Sequence, residues 1–124
     1  MNYLLYTLMF LFLFSSTVSC TTNQSRFSHL GQPYPARSEN CSIDVYTTGN
    51  PDKEYITISR LDVHLEKTHL IQFIQPGDFE EALTELKKQA CLSGADAIIH
   101  VRERFSRFIE AQIYHVTAIG IKYK

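Results

Sequence analysis

One amphipathic helix set between segments of strand period limits what this chain can fold into. In "PGDFEEALTELKKQACLSG", residues 76–94, Phe79, Leu83, Leu86 and Ala90 share a helical stripe with Ala82 beside it. Asp78 followed by Glu81 fits a capping box, Glu80 and Glu81 sit at the positive end of the dipole, and Lys87 and Lys88 lie toward the negative end. Gly94 supplies a left-handed stop. Before the helix, "CSIDVYTT" alternates Cys41, Ile43 and Val45 with Ser42 and Asp44, the pattern of a half-buried strand. "TGNPD" is turn chemistry, and "EYITISRLDVHLEK" predicts a long second strand. Its apolar phase changes between Ile56, Ile58 and Leu61, Val63, Leu65, which predicts a bulge near Ser59–Arg60. "THLIQFIQ", 68–75, is open between strand and ordered loop.

After the helix, "ADAIIHVRER" places Ile99 and Val101 on one strand face and His100, Arg102 and Arg104 on the other. "IEAQIYHVTAIGIKY" reads as the last strand. The economical architecture is α+β: a single small domain over 41–124, with about four mostly antiparallel strands and one helix packed on the sheet in the order β-β-α-β-β.

The 124 residues leave room for one domain, and the first nineteen read as something else. Leu4 to Phe14 is an apolar run without charge, followed by the small and polar "SSTVSC". At 1.5 Å per residue such a run covers roughly half of a ~30 Å hydrocarbon core, so residues 1–19 are expected to be an export signal rather than a membrane span. "MNYLLY" lacks the Lys or Arg usual at the front of such a signal. Residues 21–40, "TTNQSRFSHLGQPYPARSEN", hold Gly31, Pro33 and Pro35 and show neither period, so they predict a flexible tether with an end-to-end distance of about 25 Å. The formal net charge of −1 offers no basic field for nucleic acid, and no nucleic-acid partner is expected.

"TVSC", Thr17 to Cys20, resembles the lipobox of bacterial lipoproteins, with Thr17 where Leu is usual. That resemblance implies cleavage before Cys20, acylation of Cys20 with chains such as palmitate, and, with Thr21 following, sorting to the outer membrane. Cleavage by an ordinary signal peptidase after Ser19 is the alternative and leaves Cys20 as a bare thiol. Lipidation accounts for the odd number of cysteines; plain secretion does not. One acyl chain holds a protein only marginally, whereas several hold it persistently.

"ENCSIDVY", "EYITISRLDVHLEK", "LKKQACLSGADAIIHV" and "YHVTAIGIKY", in that order, resemble small bacterial envelope lipoproteins of unassigned function. More distantly the layout is similar to the stress-sensing lipoprotein RcsF, which has more disulfide cysteines than this chain. It is also similar to the pentameric YbjQ family, in "GADA" and the closing "VTA-I-G". The resemblance implies a periplasmic α+β domain and supplies no catalytic residue. YbjQ proteins have been called heavy-metal-binding, but no Cys or His ligand set from them matches here.

With Cys20 acylated, Cys41 and Cys91 are the remaining thiols, and a small exported domain benefits from a staple. A Cys41–Cys91 disulfide is expected, at about 4 kcal/mol from loop closure; two unpaired buried cysteines are the alternative. Among the five histidines, His64, His69 and His115 are the metal candidates, although no H-x-x-x-H or C-x-x-C spacing supports them. His100 reads as solvated and His115 as packed or bonded within the sheet. "RERFSRF", Arg102 to Phe108, reads as a hairpin loop able to contact a protein or an anionic glycan. Asp62, Glu66 and Asp96 fit polar strand faces or a turn, and no nucleophile motif or phosphate loop occurs, so neither a catalytic residue nor a cofactor is expected. The functional expectation is a lipid-anchored, non-catalytic structural, interaction or sensing module, with an envelope protein or another copy of itself as possible partner. A periplasmic metal-binding domain is the alternative.

Overall fold

The structure, a computed structural model, describes residues 21–67, 76–108 and 111–124. Its elements run β1 (Thr21–His29), β2 (Asp44–Val45), β3 (Tyr55–Lys67), α1 (Pro76–Leu92), β4 (Ala97–Arg107) and β5 (Gln112–Tyr123). They build one mixed sheet in the order β1-β3-β5-β4-β2, with α1 packed on one face. The α+β class holds, with five strands rather than four. The neighbours are antiparallel except β2 and β4, which pair in parallel through Asp44–Ala97 and Val45–Ile98.

The extra strand comes from the supposed tether. Thr21 to His29 pairs along its whole length with β3, from Thr21↔Lys67 to His29↔Ser59. Two of its inward residues, Asn23 and Ser25, are polar and meet a polar helix flank, whereas Phe27 packs against the core. Asn23 Nδ2 donates to Glu81 Oε1 at 2.9 Å, Ser25 Oγ to Glu85 Oε2 at 3.1 Å, and Gln89 Nε2 to Ser25 Oγ at 3.0 Å. Ladder bonds and these contacts hold the edge strand, so no apolar period betrays it. The rest of the segment is also fastened: Leu30 N–H donates to the Ile58 carbonyl and Arg37 N–H to the Cys91 carbonyl, both at 2.8 Å. The expected first strand from Cys41 shrinks to two residues.

Between sheet and helix lies the main core: Leu61, Val63, Leu65, Ile98, Val116 and Ala118 beneath Ala82, Leu86 and Ala90, all but excluded from water. Phe79 and Leu83 are only half-buried, while Cys91 completes the inward stripe. The helix starts at Pro76, where a missing N–H costs nothing, so Asp78 lies in the first turn rather than at the cap. Glu81 meets Asn23 instead of folding back. Lys87 and Lys88 fall short of the last turn, which carries no base. Gly94 ends the helix at φ 83° as expected.

Two bulges set the strand phases. The β3–β5 register shifts between Thr57 and Ser59, one residue before the expected place, so that Ile58 and Ser59 are both buried. Ser59 Oγ lies 2.8 Å from Ser93 Oγ, and because the Ser93 hydroxyl donates to the Ala90 carbonyl at 2.9 Å, Ser59 is the donor to Ser93. Gly120 leaves the space for this pair, since a Cβ there would land on Ser59 Oγ. The second bulge, between Ile99 and Arg102, overturns the expected phase of β4: Ile98 and Val101 face the helix, whereas Ile99 faces away with Ala97 and Ile121. Nor is Arg102–Arg107 a loop, because it pairs with β5 from Arg102↔Thr117 to Arg107↔Gln112.

Candidate functional site

Cys41 and Cys91 form the expected disulfide, with Cα atoms 5.8 Å apart. It ties the strap after β1 to the last turn of α1. Beside it Arg37 Nη1 reaches the Ala95 carbonyl at 2.8 Å and Asp96 Oδ1 at 3.2 Å. Asp96 also accepts from Tyr123 N–H at 3.1 Å and meets Lys122 Nζ at 3.5 Å, which makes it a structural hub.

The helix leaves the opposite face of the sheet open, and that face divides in two. Toward β2, Ala97, Ile99 and Ile121 form a small apolar cluster flanked by Tyr46, Tyr55, Ile119 and Tyr123. Tyr123 donates to Asp44 Oδ2 at 3.1 Å and therefore accepts from Tyr46, 3.2 Å away. Desolvation and these two neighbours push the Tyr123 phenol above its ordinary range.

Toward β1 the same face is polar and hollow. Cross-strand register lines up Arg102, Thr117, Asp62 and Arg26 in one row, and Arg104, His115, His64 and Gln24 in the next. A concavity of about 560 Å³ opens among Arg60, Asp62, His100, Arg102, His115 and Thr117. A smaller one of about 180 Å³ lies among Gln24, Arg26, Asp62, His64 and His115. Asp62 and His115 are common to both. Their side chains bond directly, His115 Nε2 to Asp62 Oδ1 at 2.8 Å, as the strand reading of His115 anticipated. Arg26 Nη2 stands 3.9 Å from the other carboxylate oxygen.

Asp62 is thus engaged by His115 and Arg26, while Arg60 and Arg102 line the larger concavity without a carboxylate partner among the described residues. Between them His100 is exposed at the second bulge with φ 53°, a left-handed backbone that costs a non-glycine residue on the order of 1 kcal/mol. Bulges re-aim side chains, and this one separates the apolar from the basic half of the face. Two guanidinium groups and an imidazole around an open hollow suit a carboxylate, phosphate or sulfate group, which Arg binds through paired N–H donors.

Of the three metal candidates, the register sets His64 opposite His115 with ring centroids 6.0 Å apart. His64 Nε2 lies 3.7 Å from Glu66 Oε2. His69 lies outside the described residues, as do Cys20 and the segment 68–75. Among the described residues no three His, Cys, Asp or Glu side chains gather as a metal site. Arg60 as a site residue escaped the sequence reading. The signal available was its place in the polar phase of β3 with Asp62, but only the register joins it to Arg102.

The chain is similar to a solved structure described as a Francisella virulence factor, FvfA, in the orthorhombic form. The TM-score is 0.49 at 14% sequence identity, over 78% of this chain and 97% of that one. No protein-family model and no curated protein matches.

Proposed function

We propose that the chain is a lipid-anchored protein of the bacterial cell envelope, held at the outer membrane and facing the periplasm. Its disulfide-braced domain acts there as a non-catalytic interaction or sensing module. The supporting observation is the Cys41–Cys91 disulfide: it occupies two of the three cysteines and leaves Cys20, immediately before β1, as the odd one. A disulfide fits an oxidising compartment, and an acylated Cys20 explains the remainder. The basic hollow around Arg60 and Arg102 is the surface through which such a module takes an anionic group of a partner or glycan. The intact mass of the mature protein tests the anchor. Cleavage after Ser19, acyl mass on Cys20 and the loss of two thiol hydrogens are expected together. A retained leader, or three titratable thiols, overturns the reading.

The His64–His115 juxtaposition favours metal binding as a second reading. Calorimetric titration of Zn²⁺ and Cu²⁺ separates the two. Stoichiometric micromolar binding that is lost in His64→Ala supports the metal, and no heat above dilution removes it.

A further inference from the structure

The register carries one consequence for how the domain stands relative to the membrane. Thr21 pairs with Lys67, Lys67 with Gln112, and Gln112 with Arg107, so the first residue of β1 and the tip of the β4–β5 hairpin lie at the same end of the sheet. Three strand spacings separate them, about 14 Å. Cys20 is the next residue before Thr21, so no spacer intervenes between it and the sheet.

At that same end the hairpin exposes two phenylalanines, Phe105 at 50% and Phe108 at 60%. The Phe108 N–H donates to the Ala111 carbonyl at 2.8 Å. Arg104 follows the open face beside His115, and Arg107 flanks the tip. Aromatic rings with nearby arginines are the composition of a segment seated at the boundary between headgroups and acyl chains. Among the described residues, the other two exposed large apolar side chains, Leu30 and Ile56, lie toward the opposite end of the sheet and are exposed by 40% and 38%.

We infer that the β4–β5 hairpin tip, through Phe105 and Phe108, is a second membrane contact that seats this end of the sheet on a phospholipid surface beside Cys20. The occupant is a lipid surface because Cys20, the residue before Thr21 and the acylated position of the reading above, brings its acyl chains to this end of the sheet. The domain then stands upright, with its strands rising from the membrane and the basic hollow turned sideways to solvent.

The anchor on Cys20 is itself the reading proposed above, so the test measures it separately. The chain holds no tryptophan, and a single introduced one is therefore a clean reporter. Full-length Phe108→Trp, Phe105→Trp and Ile56→Trp variants, processed in cells, are placed on phosphatidylcholine vesicles with and without brominated acyl chains. Their intact masses are recorded alongside. The expected result is acyl mass on Cys20, with blue-shifted emission quenched at least about twofold more in the two hairpin variants than in Ile56→Trp. Equal quenching in all three, on acylated protein, overturns the inference and leaves the anchor standing. A blue shift that depends on protein concentration rather than on vesicles assigns the tip to a second copy and also overturns it. Protein without acyl mass and without quenching removes both readings.

Discussion

Gly94 turns directly beneath Pro35: a Cβ at position 94 would lie 2.7 Å from the Pro35 carbonyl oxygen and 2.8 Å from the Tyr34 Cβ. The helix stop and the strap that follows β1 are therefore one packing problem. Its backbone is also left-handed, at φ 83°. Gly94→Ala meets both the αL penalty and a clash with backbone, and a loss of about 2–4 kcal/mol is expected in urea unfolding. A similar substitution at Gly49, φ 73° with nothing within 4 Å, tests the αL penalty alone and should cost about 1–2 kcal/mol.

The Cys41–Cys91 bond joins residues fifty apart in sequence. Replacing both with Ser should lower stability by up to about 4 kcal/mol. The same loss should follow treatment of the wild-type protein with reductant, and reductant should have no further effect on the double variant.

Tyr114, buried at 6% exposure, has its phenol pushed above the ordinary range, first by desolvation and then by its hydrogen bond to Glu103 and the charges of Glu103 and Asp78. Its proton is held more tightly in the folded than in the unfolded chain. Stability from this source is therefore complete below about pH 10, the unfolded value, and falls as pH rises beyond it. Chemical unfolding followed from pH 8 upward should show that decline. Tyr114→Phe should make it shallower, leaving the part due to Tyr123.

Arg60 and Arg102 are exposed and their replacement should leave folding within about 0.5 kcal/mol. A double Arg60→Ala, Arg102→Ala variant should nevertheless elute from a sulfated-polyanion column at lower salt than wild type. Lys53→Ala, which removes a cation over the Tyr123 ring at the far end of the sheet, should shift elution less. A shift no more than twice that of Lys53→Ala, as two charges against one would give, would mean that net charge alone governs retention.

Much of the architecture was legible where side chains obey one period. Leu61, Val63 and Leu65 declared β3, Leu86 and Ala90 declared the helix, and Gly94 declared its end. β1 was hidden because Asn23 and Ser25 meet Glu81, Glu85 and Gln89 through hydrogen bonds, and a polar strand under a polar helix flank has no apolar rhythm to read. The phase of β4 was misread because the residue pair at His100 and Val101 interrupts the alternation without any glycine to signal a bulge. The hollow between Arg60 and Arg102 belongs to neither strand alone; β5 must lie between them before the two cations share a surface. The Cys41–Cys91 pair was legible by contrast, because counting thiols requires no geometry.

The disulfide divides the chain into a ring and a leash. Residues 41 to 91 are closed covalently around β2, β3 and most of α1, while β1 and its strap lie outside the loop and are held only by noncovalent bonds. Tension applied through position 20 while a partner grips the far end of the sheet would run along the axis of β1 and load its nine ladder pairs in shear together. Should they yield, extraction stops at the sulfur bridge after about 70 Å of freed backbone, with the ring, the helix and the basic hollow still intact. Strain on the chain would then lengthen the reach of the domain before it cost the domain its fold.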